Sequence, residues 1–128
     1  MFLFQSSSIR VLSREKFGGF ADHLGVELPN GNVAHCAPGV GVQVTTAEEF
    51  AMGHDVTILR DVPAHLHGDV FQRLRLALSE RRPYHAIDWN CEVFANWLTG
   101  EKPESAQAKG WAIATLAIIA LGVVARFG

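Results

Sequence analysis

The sequence contains few cysteines and carries little net charge, and each of these features excludes some classes of protein. Only two cysteines occur in 128 residues, too few for a disulfide framework, so a reducing compartment is expected. The net charge is −2, which gives no electrostatic basis for binding nucleic acid. Residues 1–8 lack the basic segment and long apolar core of a secretory signal. These features predict a cytoplasmic globular protein long enough to bury a core, with no nucleic-acid partner.

One long apolar run is present, near the C-terminus. Residues 110–125 carry no charge and are bracketed by Lys109 and Arg126. As a helix the run would span roughly 24 Å at about 1.5 Å per residue, against about 30 Å for the hydrocarbon core of a bilayer. Two interpretations therefore stay open: a membrane anchor whose flanking cations reach the interface, or a helix that packs on the domain or on a partner. We divide the chain into a domain at 1–105 and a hydrophobic C-terminal helix at 106–128.

Two histidines, His23 and His35, flank a predicted hairpin whose turn is 29–31 (Pro-Asn-Gly). A two-residue loop would place the histidines on opposite faces of the hairpin, because side chains alternate along a strand. A three-residue loop with its glycine in the left-handed region pairs Leu28 with Asn32 and places both histidines on one face. The proline at the first turn position and the glycine at the last favour this longer loop. The opposite face would then carry Leu24, Val26, Leu28, Ala34 and Cys36.

Cys91 is predicted to begin a helix that ends at Leu98, with Asn90 as its N-cap and Gly100 as its C-terminal cap. The positive end of the helix dipole favours the thiolate of a cysteine at that position. With a histidine base nearby, such a thiol is a nucleophile; without one, it is a small buried core residue. The sequence predicts further strands at 40–45 and 55–62, a helix capped by Thr46, and a long helix at 64–82.

The segment from His23 to His35 and the run Asn90-Cys91-Glu92-Val93-Phe94 resemble the lecithin:retinol acyltransferase-like proteins, which are circularly permuted relatives of the NlpC-type papain-like enzymes. The resemblance covers about residues 17–100. It implies an α+β fold in which a small antiparallel sheet packs on the nucleophile helix. It also implies that His23 is the general base, His35 the third member of the triad and Cys91 the nucleophile. Leu24 and Val93 depart from the family pattern, which usually has an aromatic residue and a histidine there.

The function implied by this resemblance is acyl transfer through a thioester acyl-enzyme, with glycerophospholipids as acyl donors. Release to water would give a phospholipase A, and release to an acceptor an acyltransferase. Two alternatives stay open: a thiol peptidase or amidase of the NlpC type, and a non-catalytic binding module on the same fold. No cofactor is expected. A zinc site is disfavoured, because the hairpin register points Cys36 away from the histidines. A membrane is a candidate partner through residues 110–125, and the oligomeric state is left open.

Overall fold

A five-stranded antiparallel sheet organises the part of the chain that the computed structural model describes, residues 8–16 and 21–104. The strand order in the sheet is β4-β3-β2-β1-β5. The elements in chain order are β1 (Ile9–Lys16), β2 (Ala21–Glu27), β3 (Val33–Ala37), β4 (Gly41–Thr45), α1 (Ala47–Ala51), β5 (Val56–Val62), a short 3-10 helix (Ala64–Leu66), α2 (His67–Glu80) and α3 (Cys91–Leu98). The predicted α+β class with a small antiparallel sheet is confirmed. The predicted helix at 106–128 lies outside the described residues, and no helix within them is long and apolar enough to cross a membrane.

The hairpin between β2 and β3 has the predicted three-residue loop. The backbone N–H of Leu28 donates to the carbonyl of Asn32 at 2.8 Å, and the N–H of Gly31 donates to the carbonyl of Leu28 at 2.9 Å. Gly31 has a φ of 88°, in the left-handed region that glycine adopts without strain. The register pairs Val26 with Ala34, which is the register that the longer loop requires. The turn therefore places both histidines on one face.

The two faces of the sheet are covered by different elements. Helices α2 and α3 pack on one face and enclose the main core. That core includes the predicted apolar residues of the hairpin, Leu24, Val26, Leu28, Ala34 and Cys36. Phe50 of α1 covers the other face, where it packs with Leu12 and Val33 in a second, smaller apolar cluster. Both predicted histidines lie on this second face, beside Phe50.

Strand β1 is the main element that the sequence analysis missed. It lies between β2 and β5 in the sheet, and its register pairs Arg14 with His23. The second half of β1 carries polar residues, which are typical of an exposed edge strand. The sequence pattern therefore does not indicate an internal strand here. Yet Ser13 and Arg14 are both buried: Ser13 pairs with Leu24 on the main-core face, and Arg14 lies against Phe50 of α1 on the other face. The missed strand matters for the site because it brings an arginine beside the predicted base.

The predicted helix at 64–82 is shorter than expected. It starts as the 3-10 helix and continues as α2, and Arg81 ends it with a left-handed φ of 53°. Its buried positions are Val70, Leu74 and Ala77, which follow the helical repeat. The apolar residues Phe71, Leu76 and Leu78 of the same helix are exposed. A single stripe of α2 therefore meets the core.

The sheet opens at the site. The paired residues of β2 and β3 are only Val26 with Ala34 and Glu27 with Val33, although β2 runs back to Ala21 and β3 runs on to Ala37. Each strand stays paired to its other neighbour along this stretch, β2 to β1 and β3 to β4. The start of α3 packs against this opening, on the main-core face. Because β2 is not paired with β3 along this stretch, a side chain on the main-core face can contact the β2 backbone there.

Candidate functional site

The two predicted histidines form a buried hydrogen-bonded pair. His23 Nε2 lies 2.8 Å from His35 Nδ1, and the two rings meet edge to face with centroids 5.0 Å apart. Their exposed fractions are 3% and 5%. His35 Nε2 lies 3.0 Å from the hydroxyl oxygen of Thr45 on β4. Three neighbouring strands therefore hold one line of polar groups, Thr45–His35–His23.

Phe50 forms an apolar cover over this pair. Its ring stacks on His23 with centroids 5.6 Å apart and meets His35 edge to face at 5.2 Å. Helix α1, which carries Phe50, begins as predicted at Thr46, whose hydroxyl accepts the N–H of Glu49 at 3.1 Å. Gly25 makes room for the cover, because a Cβ there would lie 2.6 Å from the Phe50 ring. Phe50, with the space that Gly25 leaves for it, therefore keeps water away from the histidine pair.

Desolvation decides the charge of His35. Burial lowers the pKa of His35 to about 4, and the nearby positive charge of Arg14 acts in the same direction. His35 is therefore neutral at physiological pH, with one ring nitrogen that donates and one that accepts. A neutral His35 can hold the ring of His23 through the hydrogen bond between them.

This lowered pKa predicts a pH dependence of stability. The unfolded state binds a proton at His35 near pH 6.5 and the folded state only near pH 4, so folding opposes protonation between these values. The contribution is complete above the unfolded pKa and is lost as the pH falls toward the folded one. Lowering the pH from 7 to 5 should remove about 2 kcal/mol of unfolding free energy through this residue. Urea titrations of wild type and His35→Gln at both pH values measure it; an equal pH loss in the two proteins would contradict the assignment.

Cys91 begins α3, as predicted. The side-chain oxygen of Asn90 accepts the N–H groups of Glu92 at 3.0 Å and Val93 at 2.9 Å, and its amide donates to the carbonyl of Ala86 at 2.8 Å. Asn90 is thus an N-cap that is itself tied to the preceding loop. Only 3% of Cys91 is exposed. The helix start and its cap hold the thiol in one place at the positive end of the helix dipole.

The sulfur of Cys91 points at β2. Its Sγ lies 3.7 Å from the backbone carbonyl oxygen of Asp22, the residue before His23. Cys91 belongs to the main core, on the opposite face of the sheet from the histidine pair, and it meets β2 in the stretch that does not pair with β3. The structure therefore brings the three residues predicted from the sequence to one end of β2.

The second cysteine has a different environment. Cys36 is fully buried in the main core, and its Sγ contacts the carbonyl oxygen of Trp89 at 3.6 Å. Burial, together with the nearby Cys91, raises the pKa of this thiol to about 12. As predicted, Cys36 points away from the histidine pair. Within the described residues no group of three or more His, Cys, Asp or Glu side chains is arranged to hold a metal ion.

The difference between the two thiols predicts selective alkylation. Because only the thiolate reacts, iodoacetamide should label Cys91 at least about tenfold faster than Cys36 at pH 7.5. Peptide mapping after partial labelling measures the ratio, and neither thiol is consumed by a disulfide. Complete unfolding in urea provides the control, since it should bring the two rates close together. Preferential labelling of Cys36 in the folded protein would contradict Cys91 as the nucleophile.

Two residues at the site were not identified from the sequence. Thr45 accepts or donates at the far end of the histidine line, and Arg14 lies beside His23 as its cross-strand partner. The position of Thr45 could have been found from the pairing of β3 with β4. Arg14 could have been found only by assigning β1, whose alternation puts Leu12 and Arg14 on the histidine face. Both extend the set of polar groups around the predicted triad.

A groove of about 420 Å³ lies along α3. Apolar and aromatic residues form much of its lining, and charged groups line the remainder: Leu76, Trp89, Val93, Trp97, Pro103, Glu80, Arg82 and Asp88. The guanidinium of Arg82 stacks over the Trp89 ring, 4.4 Å from its centroid. The groove thus adjoins the loop that leads into Cys91. Comparison of the chain with protein-family models, with curated proteins and with solved structures finds no match in any of the three.

Proposed function

We propose that this protein is a cysteine-dependent acyl-transfer enzyme that works through a thioester acyl-enzyme. In this proposal the α+β domain has the circularly permuted papain-like arrangement that the lecithin:retinol acyltransferase-like proteins have, with the strands of the histidines preceding the helix of the cysteine. Cys91 is the nucleophile, His23 the general base and His35 the residue that orients the base. The substrate is an acyl ester, and a glycerophospholipid is the donor that the resemblance implies.

One observation carries the proposal: the line Thr45–His35–His23 ends beside a helix-capped cysteine. His35 and His23 are 2.8 Å apart, and the Cys91 sulfur contacts the backbone of the residue that precedes His23. A nucleophile near a base, with the base held by a third group, is the general arrangement of covalent catalysis by a thiol or hydroxyl. A buried pair of histidines without such a role would cost more free energy than apolar side chains in the same place.

The hydrogen bonds select a productive tautomer. Because His23 Nε2 is engaged with His35, proton exchange with Cys91 falls to Nδ1 of His23, which must then lack a proton. His23 consequently carries its proton on Nε2 and donates it to Nδ1 of neutral His35. His35 in turn carries its proton on Nε2 and donates it to the hydroxyl oxygen of Thr45. Thr45 therefore acts as the acceptor that sets both tautomers.

The chemical steps follow from this arrangement. The Cys91 proton moves to His23 Nδ1, and the sulfur attacks the ester carbonyl to form a tetrahedral intermediate. The backbone N–H of Cys91, at the positive end of α3, is the proposed donor to the oxyanion. The alcohol leaves with the proton from His23, and the thioester remains. Water or an acceptor then attacks the thioester with His23 again as base, which regenerates the thiol.

The groove along α3 supports an acyl chain as part of the substrate. Trp89, Val93 and Trp97 offer an apolar surface next to the loop that precedes Cys91. Each methylene that such a surface removes from water contributes about 0.8 kcal/mol. Charged residues at the same groove, among them Arg82 and Asp88, suit the polar part of an amphiphilic ester. Membrane association through residues 110–125, as proposed from the sequence, would bring the domain to its lipid substrate.

Trapping the acyl-enzyme tests the proposal. The full chain is incubated with phosphatidylcholine vesicles, with a p-nitrophenyl acyl ester and with an acylated peptide amide, quenched in acid and measured as intact mass. We expect one acyl adduct from both esters, located at Cys91 by peptide mapping. The adduct should be absent in Cys91→Ser and kept in Cys36→Ala, a matched loss of the other thiol. An adduct from the amide alone would assign a thiol amidase instead, and no adduct from any donor would overturn the proposal.

A further inference from the structure

Two apolar residues lie at the tips of tight turns beside the groove along α3. Val40 is in the turn between β3 and β4, where its N–H donates to the carbonyl of Ala37 at 3.2 Å, and 63% of it is exposed. Ile87 is in the turn before α3, which His85 and Trp89 close with backbone hydrogen bonds of 2.9 and 3.1 Å, and 57% of it is exposed. Polar residues and glycine are the usual occupants of such tips. Hydrogen-bonded turns therefore hold two apolar side chains in water.

Arg82 joins the two turns to the groove. A Cβ at Gly41, the residue after Val40, would lie 3.0 Å from the carbonyl oxygen of Arg82, so the first turn passes close to that backbone. The Nη2 of Arg82 donates to the carbonyl of Asp88, the residue after Ile87, at 3.5 Å. Arg82 and Asp88 themselves line the groove. Val40, Ile87 and the groove consequently form one surface, the groove face.

The groove face is more than a set of scattered exposed residues. Leu76, which lines the groove, is 49% exposed, and Trp97 is partly buried there. Single exposed apolar residues are ordinary on a protein surface, but a group of them around an apolar groove is typical of a contact surface. The charged residues of the lining are one cation, Arg82, and two carboxylates, Glu80 and Asp88. This balance favours a neutral or zwitterionic partner over an anionic one.

The course of the chain indicates which partner the groove face meets. Pro103, near the end of the described residues, lines the groove. The apolar run at 110–125 follows after six further residues, which extend over at most about 25 Å. A bilayer that held this run would therefore be within reach of the groove face. The proposed nucleophile is close as well, because the turn that carries Ile87 leads directly into Asn90, the cap of α3.

We propose that the groove face is a lipid-contact surface, in which Val40 and Ile87 enter a zwitterionic bilayer and bring the groove to its acyl chains. This inference rests on the proposed function, because it names the surface through which a lipid acyl donor reaches Cys91. Insertion removes both exposed side chains from water, which is favourable in proportion to the apolar area buried. Arg82 stays at the level of the headgroups, where its guanidinium stacks over the Trp89 ring at 4.4 Å.

An environment-sensitive fluorescent label tests the contact directly. Val40→Cys, Ile87→Cys and Leu59→Cys are made singly in the full chain, each with Cys36→Ala and Cys91→Ser, so that the introduced thiol is the only one. Each thiol is coupled to a nitrobenzoxadiazole label, and phosphatidylcholine vesicles are added with and without a lipid-borne nitroxide quencher. Leu59 is the matched control, because it is 52% exposed and lies on β5, at the opposite edge of the sheet from β4. Cooperative thermal unfolding checks the folding of each variant.

We expect vesicles to shift the emission of the labels at 40 and 87 to shorter wavelength and the quencher to reduce it, with neither effect at 59. Labels at 40 and 87 that stay in water, or a chain that does not bind the vesicles, would overturn the inference. Labels at 40 and 87 that are in an apolar environment before vesicles are added, and do not respond to them, would also overturn it. That result would assign the groove face to residues 110–125 or to a second copy of the chain.

A second measurement uses the unlabelled enzyme. Val40→Asp and Ile87→Asp should each slow acyl transfer from phosphatidylcholine vesicles at least about tenfold, because a carboxylate opposes insertion. The rate with a soluble p-nitrophenyl ester should stay within about threefold of wild type, as should both rates in Leu59→Asp. An equal loss with both donors would show a damaged site and overturn the lipid contact. Because the labelled chains lack Cys91, insertion of both labels without any acyl adduct in the wild-type chain would overturn the proposed function alone.

Discussion

Replacing Cys91 with alanine or serine should abolish acyl transfer and leave the fold intact. Removal of a covalent nucleophile eliminates the thioester route, so the rate should fall by at least about four powers of ten. The fold should survive because the Asn90 side chain, which caps α3, does not depend on the sulfur. The lost contact with the Asp22 carbonyl, at 3.7 Å, is weak. Release of p-nitrophenol from the activated ester gives the rate, and thermal unfolding gives the stability.

Cys36→Ala is the matched control for this experiment. It removes the other thiol, which is fully buried and contacts the Trp89 carbonyl. We expect a loss of about 1 kcal/mol in unfolding free energy from the small cavity, with the rate within about threefold of wild type. The two substitutions should therefore separate activity from stability. Wild-type turnover in Cys91→Ala would rule out a thioester at this residue.

Glutamine substitutions should distinguish the roles of the two histidines. His23→Gln removes the proposed base and should lower the rate by about three powers of ten. His35→Gln should cost only about ten- to a hundredfold, because a side-chain carbonyl can still accept the His23 N–H and its amide can donate to Thr45. Initial rates with the activated ester, measured at saturating substrate, give both numbers. A larger loss in His35→Gln than in His23→Gln would exchange the two roles.

Thr45 offers a further comparison for the same proton line. Thr45→Ser keeps the hydroxyl that lies 3.0 Å from His35 Nε2, whereas Thr45→Val keeps the shape and removes the acceptor. Without that acceptor His35 can carry its proton on Nδ1 instead, which would give His23 the unproductive tautomer. The valine variant should therefore lose more activity than the serine variant at equal stability. Equal rates in the two variants would show that the tautomer is set by another group.

Local chemistry made much of the site predictable. The turn of β2 and β3 depends on a proline and a glycine that suit only certain backbone angles, so the face shared by His23 and His35 could be worked out before the structure. The start of α3 was equally predictable, because an asparagine before an apolar helical repeat is a strong capping signal. Both features are decided by residues within a few positions of each other. The catalytic roles of these residues stay predictions.

The other features of the site depend on contacts between residues that are distant in the sequence, so local patterns did not predict them. The polar half of β1 is typical of an exposed edge strand, yet β1 is internal to the sheet, because β5 pairs with its outer side. Arg14 consequently lies under Phe50 of α1, a contact between residues 36 positions apart that no local pattern indicates. In α2, by contrast, Leu76 and Leu78 are apolar residues that are exposed in the structure. Apolar residues at roughly helical spacing do not reveal which stripe meets the sheet.

The local elements that carry the site follow from short stretches of sequence: a tight turn that places two histidines on one face, and a capped helix that begins at a cysteine. They do so because turn and cap preferences arise from backbone angles and hydrogen bonds within a few residues. Contacts formed on folding place three further features: β2 and β3 separate beside α3, Cys91 contacts β2 at the residue before His23, and Arg14 is buried next to the pair. These contacts join distant segments, and their geometry depends on how the whole sheet and its helices exclude water.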